Sequence, residues 1–184
     1  MNLICGVDEV GRGPAAGPVV VAAVILPTDF NHQYLTDSKL LSLARRKQMA
    51  HIVKQNALAV GIGWIGPDHI DKFGLTKSLR LAGRIALRRL NVRPERIILD
   101  GVHNYLTVDV HTEVMPKADQ VIPSVAAASI VAKVARDNYM ERLDLCYPEY
   151  GFSRHKGYLT AWHRAQLAQY GPSPVHRLSW VGVG

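Results

Sequence analysis

The feature that most constrains the fold lies near the start of the chain, where a short apolar run ends in two adjacent acidic residues. Residues 3–7 alternate in the way typical of a strand, and Asp8 and Glu9 follow directly. Neighbouring carboxylates repel each other, and burial raises their pKa unless a cation balances the charge. The pattern therefore favours a divalent metal site at the edge of a sheet. The alternative is a solvated acidic pair at the head of a tight turn.

The segment Gly11-Arg12-Gly13 follows this acidic pair and indicates contact with a ligand. Glycine has no Cβ, so the backbone N–H groups of this segment can approach a phosphate or a sugar closely. Arg12 adds a positive charge between the two glycines. The segment is therefore a candidate substrate-binding loop.

Length and composition limit the class of protein. The chain has 184 residues, of which 48% are hydrophobic, and this is enough for a single domain over residues 1–184. No apolar run reaches the roughly 18 residues of a membrane-spanning helix, so no membrane contact is expected. The N-terminal residues lack the basic and apolar regions of a secretion signal, which makes the cytoplasm the expected location. Cys5 and Cys146 lack the spacing of a zinc site or a disulfide framework.

The net charge of +7 favours a polyanionic partner, and the charge is distributed unevenly. No acidic residue occurs from Tyr150 to Gly184, where cations and aromatic side chains are interleaved. Cations neutralise phosphates and aromatic rings stack on sugars or bases, so we expect the C-terminal segment, about residues 142–184, to contribute to nucleic-acid binding. The alternative is that the rings cover a core and the cations are solvated. The cations are Arg154, Lys156, Arg164 and Arg177, and the histidines among them lack metal-ligand spacing.

Periodicity along the rest of the chain predicts strands and helices in one continuous α/β unit. Strands are predicted at 19–26, 58–64 and 96–100, and helices at about 43–56, 76–90 and 124–143, with a short helix from Pro67. Ser42 is the expected N-cap of the helix at 43–56. The short connection before residue 19 predicts an antiparallel hairpin with the first strand. We therefore expect a mixed central β-sheet flanked by α-helices.

Two further carboxylates are candidates for the same site. Asp100 ends a predicted strand, and ligands of open α/β sheets usually bind at strand ends, so Asp8 and Asp100 are expected to meet. Asp119 lies shortly before the alanine-rich helix, whose N-terminus would stabilise an ionised carboxylate. The alternative for Asp119 is an ordinary exposed loop acid beside Lys117.

Five segments of the chain occur in an order that resembles bacterial ribonuclease HII, of the type 2 ribonuclease H family. They are residues 8–14, 37–39, 99–101, 126–137 and 150–158, with the sequences DEVGRGP, DSK, LDG, AAASIVAKVARD and YGFSRHKGY. The resemblance extends from about Leu3 to Trp180. Three positions depart from the family pattern, and none of them removes a carboxylate: Ala15, Ala118 and Ser124.

This resemblance implies a ribonuclease H-like fold with a C-terminal helical segment. It also implies an endonuclease that cuts the RNA strand of RNA–DNA hybrids and nicks duplex DNA 5′ of embedded ribonucleotides. Matched position by position, the residues that correspond to the catalytic and metal-binding carboxylates of the family are Asp8, Glu9, Asp100 and Asp119. The resemblance implies that the ribose is read by Gly11, Arg12 and Gly13 with Tyr158, and that phosphates are contacted by Lys39, Ser129, Lys133 and Lys156. Asp137 is either a supporting acid near the metals or a helix-face partner of Lys133 or Arg136.

Oxygen ligands without cysteine or histidine are typical of Mg²⁺, with Mn²⁺ as a substitute, and two such ions can activate water and stabilise a leaving group. Attack by water would leave a 3′-hydroxyl and a 5′-phosphate. The resemblance also implies a monomer, and no sliding-clamp-binding motif is seen after Trp180. Two other functions stay open: another nuclease of the same fold, such as a junction resolvase, and a non-catalytic nucleic-acid-binding module.

Overall fold

A five-stranded mixed sheet forms the centre of the computed structural model, which describes residues 3–31, 35 and 42–183. The strands are β1 (Ile4–Val10), β2 (Val19–Ile25), β3 (Ala59–Ile65), β4 (Arg96–Asp100) and β5 (His111–Met115). Their order in the sheet is β3-β2-β1-β4-β5. β2 is antiparallel to both β1 and β3, whereas β4 is parallel to both β1 and β5. The predicted hairpin and mixed sheet are confirmed.

Helices lie on both sides of this sheet. In the described residues they are α1 (Leu43–Asn56), α2 (Pro67–Phe73), α3 (Leu75–Arg88), α4 (Pro123–Cys146), α5 (Phe152–His155) and α6 (Ala161–Tyr170), with 3-10 turns at Ala118–Gln120 and Pro148–Tyr150. The start of α1 agrees with the prediction, because the Ser42 hydroxyl accepts a hydrogen bond from the Arg45 N–H at 3.3 Å. Among the described helices, none is long and apolar enough to cross a membrane.

The central strand β2 shows why the sheet is covered on both faces. All seven of its residues are apolar and buried, as is typical of a strand with a helical layer on each side. Val20, Ala22 and Val24 pack in a cluster with α1 and α4, whereas Val19 and Val21 pack in the cluster that contains α3.

The long helix α4 lies unusually close to β1, and Gly6 permits this approach. A side chain at Gly6 would collide with the backbone of Ser124 and Val125 at the start of the helix. The alanines at 126–128 on α4 are small enough to bury against the strands. The first turns of α4 therefore lie beside β1, one or two residues before its acidic pair.

Two features of the sheet differ from the sequence-based expectation. β1 continues to Val10, so Asp8 and Glu9 lie within the strand and not after it. The sequence pattern does not predict β5, whose residues are only half-buried or exposed. An edge strand of this kind is fixed by its pairing with β4 and carries little local signal.

Candidate active site

The carboxyl ends of β1 and β4 bring the predicted acidic residues to one edge of the sheet. The two strands are parallel neighbours, with Val7 opposite Leu99, so Asp8 and Asp100 occupy the next positions along each strand. Asp8 shares a face of the sheet with Gly6, and Asp100 shares it with Ile98, because side chains alternate along a strand. That face is the one covered by α4. Asp8 and Asp100 are therefore neighbours, as predicted, and the charge of Asp100 acts on Asp8.

Asp8 is buried beside other acidic side chains. Its side chain is 8% exposed, and burial raises its pKa to about 7, with the charges of Glu9 and Asp100 adding to the effect. A hydrogen bond from the Ser129 hydroxyl on α4 opposes part of this rise. Such a carboxyl ionises fully at neutral pH only when positive charge is placed beside it.

Glu9 points to the opposite face of the sheet, as alternation along β1 requires. Its Oε1 accepts a hydrogen bond from Arg12 at 2.8 Å, and its Oε2 accepts one from the Tyr105 hydroxyl at 3.0 Å. Burial, together with the negative charge of Glu9, raises the pKa of Tyr105 well above its usual value, so this hydroxyl remains a donor. The side chain of Glu9 is thereby held at the rim of the sheet.

Asp100 and Asp119 are joined through the 3-10 turn at Ala118–Gln120. Asp100 Oδ1 accepts a hydrogen bond from the Ala118 N–H at 2.7 Å, which fixes the turn to the end of β4. Lys117 enters the turn with a left-handed φ of 59°. Asp119 is 7% exposed, so the alternative of an ordinary exposed loop acid is wrong.

The donor set at this edge suits a hard divalent cation, because four carboxylates supply oxygen ligands and Asp8 requires a balancing charge. In the arrangement seen over residues 3–31, 35 and 42–183, no group of three or more His, Cys, Asp or Glu side chains is gathered as a metal cluster. Glu9 accepts hydrogen bonds from Arg12 and Tyr105, and Asp100 accepts one from a backbone N–H. The residue types at this edge fit a hard divalent cation.

The candidate substrate loop and Tyr158 are neighbours in the structure. Gly11 has a φ of 91°, a conformation that side chains rarely adopt, and it turns the chain sharply after β1. A Cβ placed on Gly13 would lie 3.4 Å from the ring of Tyr158, so the ring covers this part of the loop. Tyr158 is 49% exposed. The Ala15 N–H donates to the Gly157 carbonyl at 2.9 Å and joins the two segments.

The predicted phosphate contacts have varied surroundings. Lys39 lies outside the described residues. The Ser129 hydroxyl is bonded to Asp8, and Lys133 Nζ lies 2.7 Å from Asp137 Oδ1 one helical turn away. Lys156 Nζ lies 3.0 Å from Glu141 Oε1. The contact with Lys133 agrees with the helix-partner interpretation of Asp137.

Sequence reasoning missed two buried arginines beneath the loop. Arg177 is wholly buried, so its assignment to an exposed nucleic-acid surface is wrong, and Arg136 on α4 is 1% exposed. Burial lowers the pKa of Arg136 to about 10 and that of Arg177 to about 9. Both guanidinium groups donate to backbone carbonyls, a role that residue type and spacing do not reveal.

The histidines of the C-terminal segment form a buried cluster. His163 Nδ1 lies 2.9 Å from the Tyr158 carbonyl, so it carries a proton and donates, which leaves Nε2 to accept from His176 Nε2 at 2.9 Å. The remaining nitrogen, His176 Nδ1, accepts from the Ser173 N–H at 2.9 Å. This arrangement satisfies every ring nitrogen only when both rings are neutral.

We therefore expect the protein to lose stability in mild acid. Burial, with the neighbouring His163, lowers the pKa of His176 to about 4, and burial also lowers that of His163. In the unfolded chain these rings bind a proton near pH 6.5, so the unfolded state gains protons first and stability falls as the pH drops from about 6.5 towards 4. Melting temperatures across this range should fall more steeply for the wild type than for His176→Gln. A change at the exposed His111, His111→Gln, serves as the control and should leave the slope unaltered.

A mixed sheet with carboxylates at the ends of its central parallel strands is the arrangement of a nuclease with a ribonuclease H-like fold. A family model described as Ribonuclease HII matches residues 5–183. Ribonuclease HII of Streptomyces avermitilis is 45% identical over 180 residues, which are 98% of this chain and 77% of the relative.

Solved structures agree with the family match. The ribonuclease H2 of Pyrococcus horikoshii OT3 superposes with a TM-score of 0.82 at 27% identity, over 98% of this chain and 94% of that one. The RNase HII of Archaeoglobus fulgidus, solved in a complex with PCNA, has a TM-score of 0.81 at 27% identity, over 97% and 95% of the two chains. The chain belongs to the ribonuclease HII family. Its activity is that of a ribonuclease H, which hydrolyses the RNA strand of RNA–DNA hybrids.

Proposed function

We propose that this ribonuclease also nicks duplex DNA on the 5′ side of a single embedded ribonucleotide, leaving a 3′-hydroxyl and a 5′-phosphate. The observation that carries this proposal is the contact between the Gly11-Arg12-Gly13 loop and the ring of Tyr158, directly after the acidic end of β1. A site that recognises one ribose needs a reader of the 2′-hydroxyl next to the cleavage chemistry. The position of the candidate loop and of Tyr158 directly after the acidic end of β1 supports this proposal.

The four carboxylates Asp8, Glu9, Asp100 and Asp119 would hold divalent cations, with Mg²⁺ or Mn²⁺ as the ions that suit oxygen ligands. Bound there, two such ions would lower the pKa of a water and neutralise charge on the phosphate and the leaving oxygen. Ser129 would orient Asp8 through its hydroxyl, and Tyr105 would orient Glu9. These two hydrogen bonds would position Asp8 and Glu9 for hydrolysis of the phosphodiester.

Recognition of the ribose would combine the loop and the aromatic ring. A 2′-hydroxyl both donates and accepts hydrogen bonds, so the N–H groups of the loop and the hydroxyl of Tyr158 can bind it together. The ring of Tyr158 would pack on the next sugar, where a deoxyribose fits and a second 2′-hydroxyl would be crowded. Cleavage at the RNA–DNA junction follows from this preference.

The C-terminal segment, about residues 142–184, would extend the binding surface as part of the same single domain. Arg154 and Arg164 are exposed, and the Arg154 guanidinium lies 5.6 Å from the centre of the exposed Trp162 ring. Cations beside an exposed ring can contact a nucleic-acid backbone. Further phosphate contacts are proposed for Lys39, Ser129, Lys133 and Lys156.

Changes to this surface should alter the salt dependence of binding. We expect Arg154→Ala, Lys156→Ala and Arg164→Ala each to weaken affinity for any duplex and to reduce the slope of log affinity against log salt by about one per lost phosphate contact. Binding titrations at several salt concentrations measure this slope. Arg88→Ala, at the opposite end of the sheet beside the start of β4, is the control and should leave it unchanged. Slopes equal to that of the wild type in all three variants would indicate that these cations are solvated and do not contact phosphates.

One cleavage assay tests the proposed function. The protein is incubated in Mg²⁺ with duplex DNA that carries one ribonucleotide, with all-DNA duplex and with a four-way DNA junction. We expect a nick in the first substrate alone. Cutting of the junction or of all-DNA duplex would instead support a nuclease that ignores the 2′-hydroxyl, and binding without cutting of any substrate would support a non-catalytic module.

A further inference from the structure

The carbonyl groups of the substrate loop are bound by side chains from a segment far along the chain. Arg177 Nη2 donates to the Gly11 carbonyl at 2.6 Å, and Arg177 Nη1 donates to the Arg12 carbonyl at 3.2 Å. Trp180 Nε1 donates to the Gly13 carbonyl at 3.1 Å. Three consecutive carbonyls are therefore directed at two side chains.

The directions of these carbonyls also determine where the N–H groups of the loop point. In a trans peptide the C=O of one residue and the N–H of the next point in opposite directions. No described peptide bond is cis. Because the Gly11 and Arg12 carbonyls point inward to Arg177, the N–H groups of Arg12 and Gly13 point outward, and both residues are exposed.

The two donor side chains are themselves held in place. The Arg177 guanidinium lies 4.8 Å from the centre of the Trp180 ring, and Arg177 also donates to the Gly17 carbonyl through Nε at 3.0 Å. Asp71 on α2 accepts hydrogen bonds from the N–H groups of Leu178 at 2.8 Å and Ser179 at 3.1 Å. The segment between the two donors is thus anchored to a helix of the core.

We propose that Arg177 and Trp180 are positioning residues for ribose recognition. Arg177 directs the N–H groups of Arg12 and Gly13 towards the 2′-hydroxyl of the substrate, and Trp180 fixes the following peptide, between Gly13 and Pro14, which has no N–H of its own. This inference rests on the proposed function of the loop. Neither side chain is required to touch the substrate, since each acts through a carbonyl on the inner side of the loop.

The chain offers a matched control for Trp180. The Thr112 hydroxyl donates to the Val110 carbonyl at 2.9 Å at the start of β5, the end of the sheet opposite the carboxylates, and Thr112 is half-buried like Trp180. Thr112→Val removes this hydrogen bond and keeps a side chain of the same shape. Lysine cannot reproduce the planar set of donors of arginine, so Arg177→Lys releases the loop carbonyls. Trp180→Phe removes the bond to Gly13 while it keeps an aromatic ring beside Arg177.

The experiment compares affinity for duplex DNA that carries one ribonucleotide with affinity for the matched all-DNA duplex, in EDTA so that neither is cleaved. We expect wild-type protein to prefer the ribonucleotide, and Arg177→Lys and Trp180→Phe to reduce that preference by about tenfold, as loss of a well-aligned hydrogen bond does. Affinity for all-DNA duplex should stay unchanged. Thr112→Val should keep the preference of the wild type.

Several results would overturn the inference. The first is an unchanged preference in Arg177→Lys and Trp180→Phe, and the second is an equal loss of preference in Thr112→Val. An equal loss of affinity for both duplexes would also overturn it, since it would indicate a general structural role. If Arg177→Lys does not fold, the result for Trp180→Phe decides. A wild-type protein without any preference would contradict the proposed function itself, and so is distinguishable from a failure of this inference alone.

Discussion

Replacing Asp8 or Asp100 by asparagine is expected to reduce cleavage of an RNA–DNA hybrid by about a thousandfold or more. Asparagine keeps the shape of the side chain but removes a negative charge from the carboxylate edge, where Asp8 is 8% exposed and its pKa is raised to about 7. Several kcal/mol of transition-state stabilisation depend on bound cations in sites of this kind, and about 4 kcal/mol corresponds to three powers of ten in rate. Initial rates in Mg²⁺ on an end-labelled hybrid measure the loss, and hybrid binding should largely survive.

Asp109→Asn provides the control for these two changes. Asp109 is exposed and precedes β5, at the end of the sheet opposite the carboxylates, so the same change in charge should leave the rate unaltered. Near-wild-type activity in either Asp8→Asn or Asp100→Asn would show that the metal site is assigned wrongly. Without divalent ions, Asp8→Asn should melt at a higher temperature than the wild type, because burial of a carboxyl next to like charges is relieved.

Tyr158→Ala is expected to lose most activity on a single embedded ribonucleotide, by about a hundredfold. The ring lies against Gly13 and remains 49% exposed, so its removal takes away the surface on which the neighbouring sugar would pack. Tyr158→Phe keeps the ring and should lose only about tenfold, the share of one hydrogen bond to the 2′-hydroxyl. Single-turnover cleavage rates of both variants separate the two contributions.

Tyr170→Ala is a suitable control for the aromatic change, since Tyr170 is a similarly exposed tyrosine at the end of α6. Mapping the nick on end-labelled duplex completes the experiment. A nick on the 3′ side of the ribonucleotide, or a Tyr158→Ala enzyme with wild-type rates, would be incompatible with the role proposed for this ring.

The sequence predicts those parts of the fold that have a strong local pattern. The Ser42 cap and the periodicity after it predict α1, and the apolar run at 19–26 predicts the strand β2. The acidic ends of β1 and β4 predict a common site, because parallel neighbours end at the same edge. These features depend on residues close together in sequence or on a general rule of sheet topology.

Other parts of the site depend on contacts that no local pattern encodes. Arg177 and Lys156 belong to the same basic segment, and composition alone gives them the same role. Arg177 is nevertheless buried under the loop, whereas Lys156 pairs with Glu141. The separation of Asp8 and Glu9 onto opposite faces also follows only after the strand is known to reach Val10. The positions of these side chains depend on packing between segments that are distant in the sequence.

The hydrogen bonds that hold the loop at residues 11–13 join parts of the chain that are synthesised at different times. Gly11 and Arg177, whose side chain binds the Gly11 carbonyl, are 166 positions apart. All five strands, the four carboxylates and the helix α4 that covers them lie within residues 4–146. As the chain is synthesised, the residues of the acidic edge are therefore all present before Arg177 and Trp180, which the loop needs for its final contacts. A molecule at that stage would have the groups for cutting a phosphodiester without the means to choose which sugar it cuts beside.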